Sequence, residues 1–252
     1  MTGQSGSKLN HLLRAMPRGT IATQDWLATQ GVSRQLADSF TESQWLERVG
    51  RGAYKRVDDK NVGWLGGVWA LQRTVPVHVG AKTALEEQGF AHFIPMSRRR
   101  VWLFGPQKTK LPHWFVKNHW DHDVHLAATN LFSNNELGMT EHRVNDFTVR
   151  MSAPERAMFE TLYLVPNNQS LNEAFQLMEG MTTLRPRLLD ELLAECNSLT
   201  VRRVFMVFAH RLRYPWYKKL HAVDLGEGKR AFAGGGKYHP SFQISLPEFG
   251  EQ

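Results

Sequence analysis

The chain has 252 residues, 42% of them hydrophobic, which is enough for one large or two ordinary domains with a real core and excludes a largely disordered protein. No apolar run reaches membrane-spanning length, and the opening MTGQSGS lacks the charged-then-apolar leader of an exported protein, so we expect a soluble cytoplasmic protein with no membrane partner. The single cysteine, Cys196, excludes an internal disulfide, and we expect a buried thiol. The net charge of +7 favours an acidic partner such as nucleic acid.

Three short helices are predicted at the N-terminus. Ser7 can cap the first, whose apolar residues lie at one-face spacing and which Pro17 and Gly19 end. Thr23 can cap a second helix over residues 24–30, and Ser33 can cap a third. The third helix places Val32, Leu36, Ala37 and Phe40 on one side and leaves Arg34, Gln35, Asp38 and Ser39 facing outward. It is therefore the candidate recognition helix, because its exposed N-terminal side chains are of types that reach base edges in a major groove.

A basic hairpin follows. Residues 45–49 and 53–57 are short strand-like runs joined by Gly50-Arg51-Gly52, whose glycines suit a tight turn and place Arg51 at its tip. The flanking cations Arg48, Lys55 and Arg56 would let this wing lie against a phosphate backbone. This order of elements predicts a winged helix-turn-helix that binds double-stranded DNA over residues 1–58. The alternative is a hairpin that is merely solvated by its basic side chains.

A second domain is predicted over residues 59–252, beginning where Asp58-Asp59-Lys60-Asn61 reads as a short linker or a helix start. Up to a possible sub-boundary near residue 151, helices at 62–73 and 82–88 alternate with strands at 75–79, 100–104, 124–128 and 143–151. Helices then follow at 154–164 after Ser152, at 171–178 after Ser170, and at 184–196, 199–212 and 216–220, before a final strand at 242–246. The predicted fold class is α+β, with a winged helix followed by a larger mixed α/β domain.

Two basic regions lie outside the predicted winged helix. One contains Arg98, Arg99 and Arg100 with Lys108 and Lys110; the other contains Arg202, Arg203, Arg211, Arg213, Lys218, Lys219, Lys229 and Arg230. Either could extend a nucleic-acid footprint or meet an acidic partner, although a run of charge is usually a solvated face.

Two motifs could carry metal chemistry. Four histidines, His113, His119, His122 and His125, crowd residues 113–125 with two aspartates, but their spacing matches no closed structural metal site, and a polar loop and strand edge is the alternative. Glu227-Gly228-Lys229 after Asp224 resembles a nuclease motif, but the flanking glycines predict a turn. We therefore expect no metal, no cofactor and no catalytic residue, and the role of the histidines stays open.

Several long blocks resemble one known family. In the N-terminal region these are GVSRQLADSF and WLERVGRGAYKR; later they are MSAPERAMFETL, MTTLRPRLLDELLAEC, LTVRRVFMVFAHRLRYPWYKKL and DLGEGKRAFAGGGKYHPSFQISLPEF. Together they resemble the AbiEi family of type IV antitoxins. One departure is Gln44, where the wing of the family usually begins with a glycine.

The resemblance implies a transcriptional repressor that is also an antitoxin. Such a protein binds inverted repeats in its own promoter, either as two monomers paired on DNA or as a dimer, and opposes a nucleotidyltransferase-like toxin without a stable complex. Carried over to this sequence, Arg34, Gln35 and Ser39 would read the groove, and Arg51 and Lys55 would hold phosphate. Residues 154–156 and 184–187 would belong to the antitoxin domain, where they are equally consistent with helix starts. The rival interpretations are a winged-helix protein with a metal-dependent nuclease domain and a plain transcription factor with an effector domain.

Overall fold

The computed structural model describes residues 3–90 and 99–250. The chain forms two compact units, each assembled from separate stretches of sequence. The first contains the described residues of Met1–His78, Ser97–Ala128 and Glu141–Arg150, and the second those of Val79–Met96, Thr129–Thr140 and Met151–Gln252.

The first unit begins with three helices and a small sheet. The elements are α1 (Gly3–Ala15), β1 (Ala22–Thr23), α2 (Gln24–Thr29), α3 (Arg34–Glu42), β2 (Leu46–Gly50) and β3 (Ala53–Arg56). The strands pair antiparallel in the order β1-β3-β2. This order of helices and hairpin is the one that the sequence predicts for a winged helix-turn-helix.

Local capping explains where α2 and α3 begin. The backbone N–H of Trp26 donates to Thr23 Oγ1 and that of Leu36 to Ser33 Oγ, each at 3.3 Å, which confirms both predicted caps. The predicted cap at Ser7 is wrong, because α1 begins one turn earlier and Ser7 lies inside it. Helix α3 ends before Gln44, whose φ of +59° is the left-handed conformation that a glycine adopts without strain.

One apolar core joins these helices to the hairpin. Trp26, Leu13 of α1 and Leu36 of α3 pack against its edge, and its buried members are Leu9, Leu12, Met16, Ala22, Leu27, Val32, Ala37, Phe40, Leu46 and Tyr54. The one-face spacing read from the sequence therefore corresponds to the buried faces of α1 and α3.

The middle of the chain supplies a five-stranded sheet. Its elements are α4 (Trp64–Leu71), β4 (His78–Val79), α5 (Ala81–Glu87), β5 (Arg100–Gly105), α6 (His113–Val116), β6 (Asp123–Ala128), β7 (Met139–Val144) and β8 (Phe147–Ser152). The strand order is β6-β5-β4-β8-β7, with β5 parallel to β6 and β4 parallel to β8. The single strand predicted at residues 143–151 is wrong: Asn145 adopts a φ of +50° and breaks it between β7 and β8.

The C-terminal part is mainly helical. Helices α7 (Pro154–Leu164), α8 (Leu171–Glu179), α9 (Pro186–Glu195) and α10 (Leu199–Leu212) are followed by short strands β9 (Arg230–Ala231), β10 (Lys237–His239) and β11 (Ile244–Leu246). The helix predicted at 216–220 is a 3-10 helix at Tyr217–Lys219, and a second 3-10 helix covers Pro240–Phe242. Strand β11 pairs antiparallel with β10 and parallel with β9. The predicted α+β class is confirmed.

Two ion pairs involve buried carboxylates of α7 in the second unit. Glu155, which is buried, accepts hydrogen bonds from Arg185 Nε at 3.0 Å and Nη2 at 2.8 Å, joining the N-terminal ends of α7 and α9. Arg156 Nε donates to the buried Glu160 at 2.9 Å within α7. Ser152 does not cap α7, because its hydroxyl donates instead to Glu160 Oε2 at 2.7 Å. The segments around Glu155 and Arg185 are thus helix starts that stabilise the unit.

Candidate nucleic-acid interface

The recognition candidate α3 presents its N-terminal turn to solvent. Arg34 and Gln35 are exposed, while Asp38 and Ser39 one turn later are half-buried. Because residues four apart on a helix lie on one side, Arg34 neighbours Asp38 and Gln35 neighbours Ser39. The positive end of the helix dipole adds to the charge of Arg34 at this surface.

Strand β2 adds a cation to this side of α3. Arg48 Nη2 donates to Asp38 Oδ1 at 2.5 Å, and its guanidinium carbon lies 5.5 Å from the centroid of the Tyr54 ring. Arg48 is exposed despite these contacts. The exposed face of α3 and the first strand of the wing therefore form one continuous surface, on which Arg48 offsets the negative charge of Asp38.

The tip of the wing carries one exposed cation. Arg51 is exposed and forms no ion pair with another described residue, and Gly52 beside it adopts a φ of +70°. Gly52 O accepts a hydrogen bond from the backbone N–H of Gln24 at 2.8 Å, so the turn is anchored to the start of α2. Lys55 is half-buried, and its Nζ lies 3.1 Å from Glu47 Oε2 on the facing strand. Of Arg51 and Lys55, the two residues expected to hold phosphate, Arg51 is thus the one that forms no ion pair with another described residue.

The structure corrects the expectation for Arg56. Its side chain is only 7% exposed, and Nη2 donates to the carbonyl oxygens of Leu13 and Met16. These carbonyls belong to the C-terminal end of α1 and lack partners inside that helix. Arg56 therefore caps the C-terminal end of α1 and is not part of the candidate interface.

The wing is supported by a segment that the sequence did not connect with it. A Cβ on Gly50 would lie 2.8 Å from Trp114 Cβ and 3.2 Å from Trp114 Cα, so α6 packs directly on the end of β2. Trp114 is buried and makes an edge-to-face contact with Phe115. The sequence assigned Gly50 only to the turn, because nothing local marks a contact with a residue so distant along the chain.

A polar groove of about 760 Å³ borders β2. Its lining includes Glu47, Arg48, Lys55, Lys60 and residues 118–121. Asp121, which lines the groove, accepts a hydrogen bond at 3.3 Å from Trp64 N at the start of α4, and its Oδ2 lies 3.0 Å from His122 Nδ1. The hydrogen bond from Trp64 N gives Asp121, which belongs to the histidine-rich segment, a structural role at the start of α4. Among the described residues, no group of three or more potential metal ligands converges here or elsewhere.

The two outlying basic regions divide into structural and exposed cations. Arg98 lies outside the described residues, Arg99 is half-buried, and Arg100 is exposed at the start of β5. Arg203 is fully buried and donates to carbonyls of the segment 225–228, which corrects its assignment to a basic surface. Arg202 donates to Cys196 O at 2.6 Å and Asp224 O at 3.0 Å. The surface cations of this region include Arg211, Lys218 and Lys219.

Residues 224–229, whose sequence resembles a nuclease motif, form a turn around the Arg203 side chain. Gly226 and Gly228 adopt φ values of +65° and +82°. Asp224 Oδ1 accepts the backbone N–H of Gly226 at 2.7 Å, and Arg203 Nη1 donates to Gly228 O at 2.6 Å. The glycines thus shape a loop whose carbonyls satisfy a buried guanidinium.

Two family models match consecutive parts of the chain. Residues 5–96 match the family described as transcriptional regulator, AbiEi antitoxin N-terminal domain, and residues 98–247 match the family described as transcriptional regulator, AbiEi antitoxin, type IV TA system. No curated protein sequence matches significantly. The crystal structure of the RV2827C protein from Mycobacterium tuberculosis is similar with a TM-score of 0.55 and 14% identity, over 97% of this chain and 92% of that one, which shows a shared fold. None of the described helices is long and apolar enough to cross a membrane.

The two family matches cover nearly the whole length of the chain. The chain therefore belongs to the AbiEi antitoxin family of transcriptional regulators of type IV toxin–antitoxin systems.

Proposed function

We propose that the protein represses its own operon by binding inverted repeats in the promoter through α3 and the wing. The observation that carries this proposal is the pairing of an exposed helix start, Arg34 and Gln35, with an exposed and unpaired hairpin cation, Arg51, on one small domain. Helix side chains of these types read base edges, whereas a hairpin arginine contacts phosphate and supplies affinity without sequence preference. Two copies, whether monomers or a dimer, would occupy the two halves of an inverted repeat.

Some residues of the proposed interface would determine base preference, and others would supply electrostatic affinity. Gln35 and Ser39 have no formal charge and can distinguish bases by hydrogen bonding, so they affect preference more than affinity. Arg51 contributes through counterion release, which is stronger at low salt. Lys55 and Arg48 are already paired with carboxylates, so we expect each to contribute less than Arg51.

Gel shifts on the upstream promoter test this division. Arg51→Ala should weaken binding to all sequences and reduce the slope of log affinity against log salt by about one. Gln35→Ala should instead narrow the difference between operator and scrambled DNA. Arg14→Ala is the matched control, because Arg14 is an exposed cation on α1, outside α3 and the wing. Equal behaviour of Arg51→Ala and Arg14→Ala would show that the wing does not contact DNA.

We further propose that the antitoxin activity resides in residues 59–252 and counteracts a nucleotidyltransferase-like toxin without a stable complex. The family match over residues 98–247 supports this assignment. A full-length Arg51→Ala, Gln35→Ala double variant should bind the operator more weakly and less selectively but still restore growth when the toxin is expressed.

The full chain is the better reagent for this test than a fragment cut at residue 58. Asp59 is buried and accepts the backbone N–H of Gly19 at 2.8 Å, and Ile21 N donates to Gly66 O at 3.3 Å. A cut there would remove contacts on both sides. Copurification of toxin with tagged antitoxin in stoichiometric amount would contradict the absence of a stable complex, and loss of rescue by the double variant would contradict the division of labour.

A further inference from the structure

A second concave site lies entirely within the second unit. It is a cleft of about 540 Å³ between the C-terminal end of α10 and strand β10. His210, Arg211 and Arg213 line it from the helix, and Lys237 and His239 line it from the strand. Lys237 and His239 are two residues apart in an extended strand, so their side chains leave the same face. Two separate elements thus direct basic side chains into one cavity.

The positive charge of this cleft is largely uncompensated. Arg211, Arg213 and Lys237 form no ion pair with any described residue, and Glu248 is the one acidic side chain among the described residues of the lining. Burial together with the charges of Lys237, Arg211 and His210 lowers the pKa of His239, which lines the same cleft as these groups. Clustering like charges destabilises a fold, and such clusters are concentrated at sites that bind ligands.

Arg211 is held in place for such a role. Its Nη1 donates to Phe249 O at 2.7 Å, and the guanidinium carbon lies 5.1 Å and 4.9 Å from the ring centroids of Phe175 and Phe249. These contacts fix the guanidinium without neutralising it. A cation that is immobilised in advance loses little conformational freedom when it binds an anion.

Arg213 occupies a backbone position that suits glycine. It is the residue after α10 and adopts φ +53° and ψ +33°, the left-handed conformation that usually ends a helix with glycine or asparagine. Attraction to the negative end of the helix dipole would account for His210 and Arg211. It does not account for Lys237, which stands on a different element, or for a strained arginine where glycine would fit better.

We propose that this cleft binds the polyphosphate chain of a free nucleotide. Its volume lies within the range of small-molecule sites and exceeds what a single phosphate would fill. Arginine guanidinium groups recognise phosphoryl oxygens through paired hydrogen bonds, and Lys237 adds a point charge opposite them. The exposed His210 ring, whose Nδ1 lies 3.1 Å from the Tyr217 hydroxyl, offers a flat surface beside the cations for a base. This site is independent of DNA binding by the winged helix.

Calorimetric titration of the full-length protein with sodium triphosphate and with ATP tests the proposal. Both probes should bind the wild type, and Arg213→Asn and Lys237→Gln should each weaken binding about tenfold or more, since a charge-assisted hydrogen bond is worth at least that factor. Arg213→Asn should leave the melting temperature unchanged or higher, because asparagine tolerates the left-handed conformation. A loss of binding by this variant therefore reports on the ligand and not on folding.

Lys218→Gln is the matched control. Lys218 is an exposed cation of the same unit, on the 3-10 helix outside the cleft, and its replacement should change affinity less than about twofold. The proposal is overturned if neither probe binds the wild type, or if all three variants bind equally. It is also overturned if triphosphate and ATP fail to bind while a short RNA binds through Arg213 and Lys237, because the site would then serve a polymer backbone.

Discussion

Loss of charge at Arg56 should lower the stability of the protein, whereas loss of charge at Arg51 should weaken its binding to DNA. The two arginines belong to one hairpin and look alike in sequence, but Arg56 is buried against the end of α1 and Arg51 is exposed. Arg56→Met keeps much of the apolar stem and removes the donors to Leu13 O and Met16 O. We expect it to destabilise the first unit without changing the salt dependence of operator binding by the folded protein.

The magnitude follows from the contacts. A hydrogen bond to a charged group contributes about 1.5–3 kcal/mol, and both carbonyls lose their donor in the same low-exposure environment. The two bonds share Nη2, so their energies do not add fully, and Arg56 Nε is already buried without a partner among the described residues. The net loss in the free energy of unfolding should be about 2–4 kcal/mol. Arg51→Ala should change it by less than about 0.5 kcal/mol, as exposed substitutions usually do.

Urea unfolding followed by tryptophan fluorescence measures the free energy of unfolding, and gel shifts at several salt concentrations measure the salt dependence of operator binding. Arg56→Met should lower the urea midpoint for unfolding of the first unit and leave the salt slope of operator binding unchanged. Arg51→Ala should leave the midpoint unchanged and reduce the salt slope. An unchanged midpoint for Arg56→Met together with a shallower salt slope would refute the reasoning, because Arg56 would then contact phosphate.

Three further predictions concern charge and burial. Burial raises the pKa of Glu155, but hydrogen bonds from Arg185 outweigh burial and keep the pKa below the ordinary 4.5. The stability that the ionised carboxylate contributes is lost as the pH falls through this lowered pKa, so Glu155→Gln should flatten the acid side of the curve of unfolding free energy against pH, measured in urea. An unchanged curve would contradict this. Asp38→Asn should free Arg48 and increase the slope of log operator affinity against log salt by up to about one; weaker binding would show that the Asp38 pair is needed. Burial raises the pKa of the Cys196 thiol to about 11, so iodoacetamide should label Cys196 slowly at neutral pH until urea unfolds the protein. Fast labelling of the folded protein would contradict the burial of Cys196.

The parts of the fold governed by local chemistry were predictable. Thr23, Ser33 and Ser170 each place a side-chain oxygen where the next turn of helix needs an acceptor, and all three cap the helices that follow them. The caps predicted at Ser7 and Ser152 on the same ground are wrong, because Ser7 lies inside α1 and Ser152 bonds to Glu160. The one-face spacing of apolar residues identified α3 and its exposed Arg34 and Gln35. Capping and periodicity act within a few residues, so one sequence contains the necessary information.

Turn positions were less predictable where a polar pair interrupts an apolar run. Residues 143–151 alternate like a single strand, but Asn145 adopts a left-handed conformation and separates β7 from β8. The same ambiguity affects Gln44, a non-glycine residue at positive φ that ends α3. A residue that only tolerates such a conformation marks a turn less clearly than a glycine does.

By itself, the sequence determined the helices and hairpin of the N-terminal region, the four long C-terminal helices, the exposed start of α3, the basic tip of the wing and the family resemblance. Only the tertiary structure decided which arginines face solvent. Arg56 donates to carbonyls at the end of a helix and Arg203 to carbonyls of a loop, whereas Arg51 and Arg213 form no ion pair with any other residue that the structure describes. It also decided that Gly50 must make room for Trp114. The reason is physical: capping is set by neighbours in the chain, whereas the burial of a charge depends on carbonyls and rings that folding brings from distant positions.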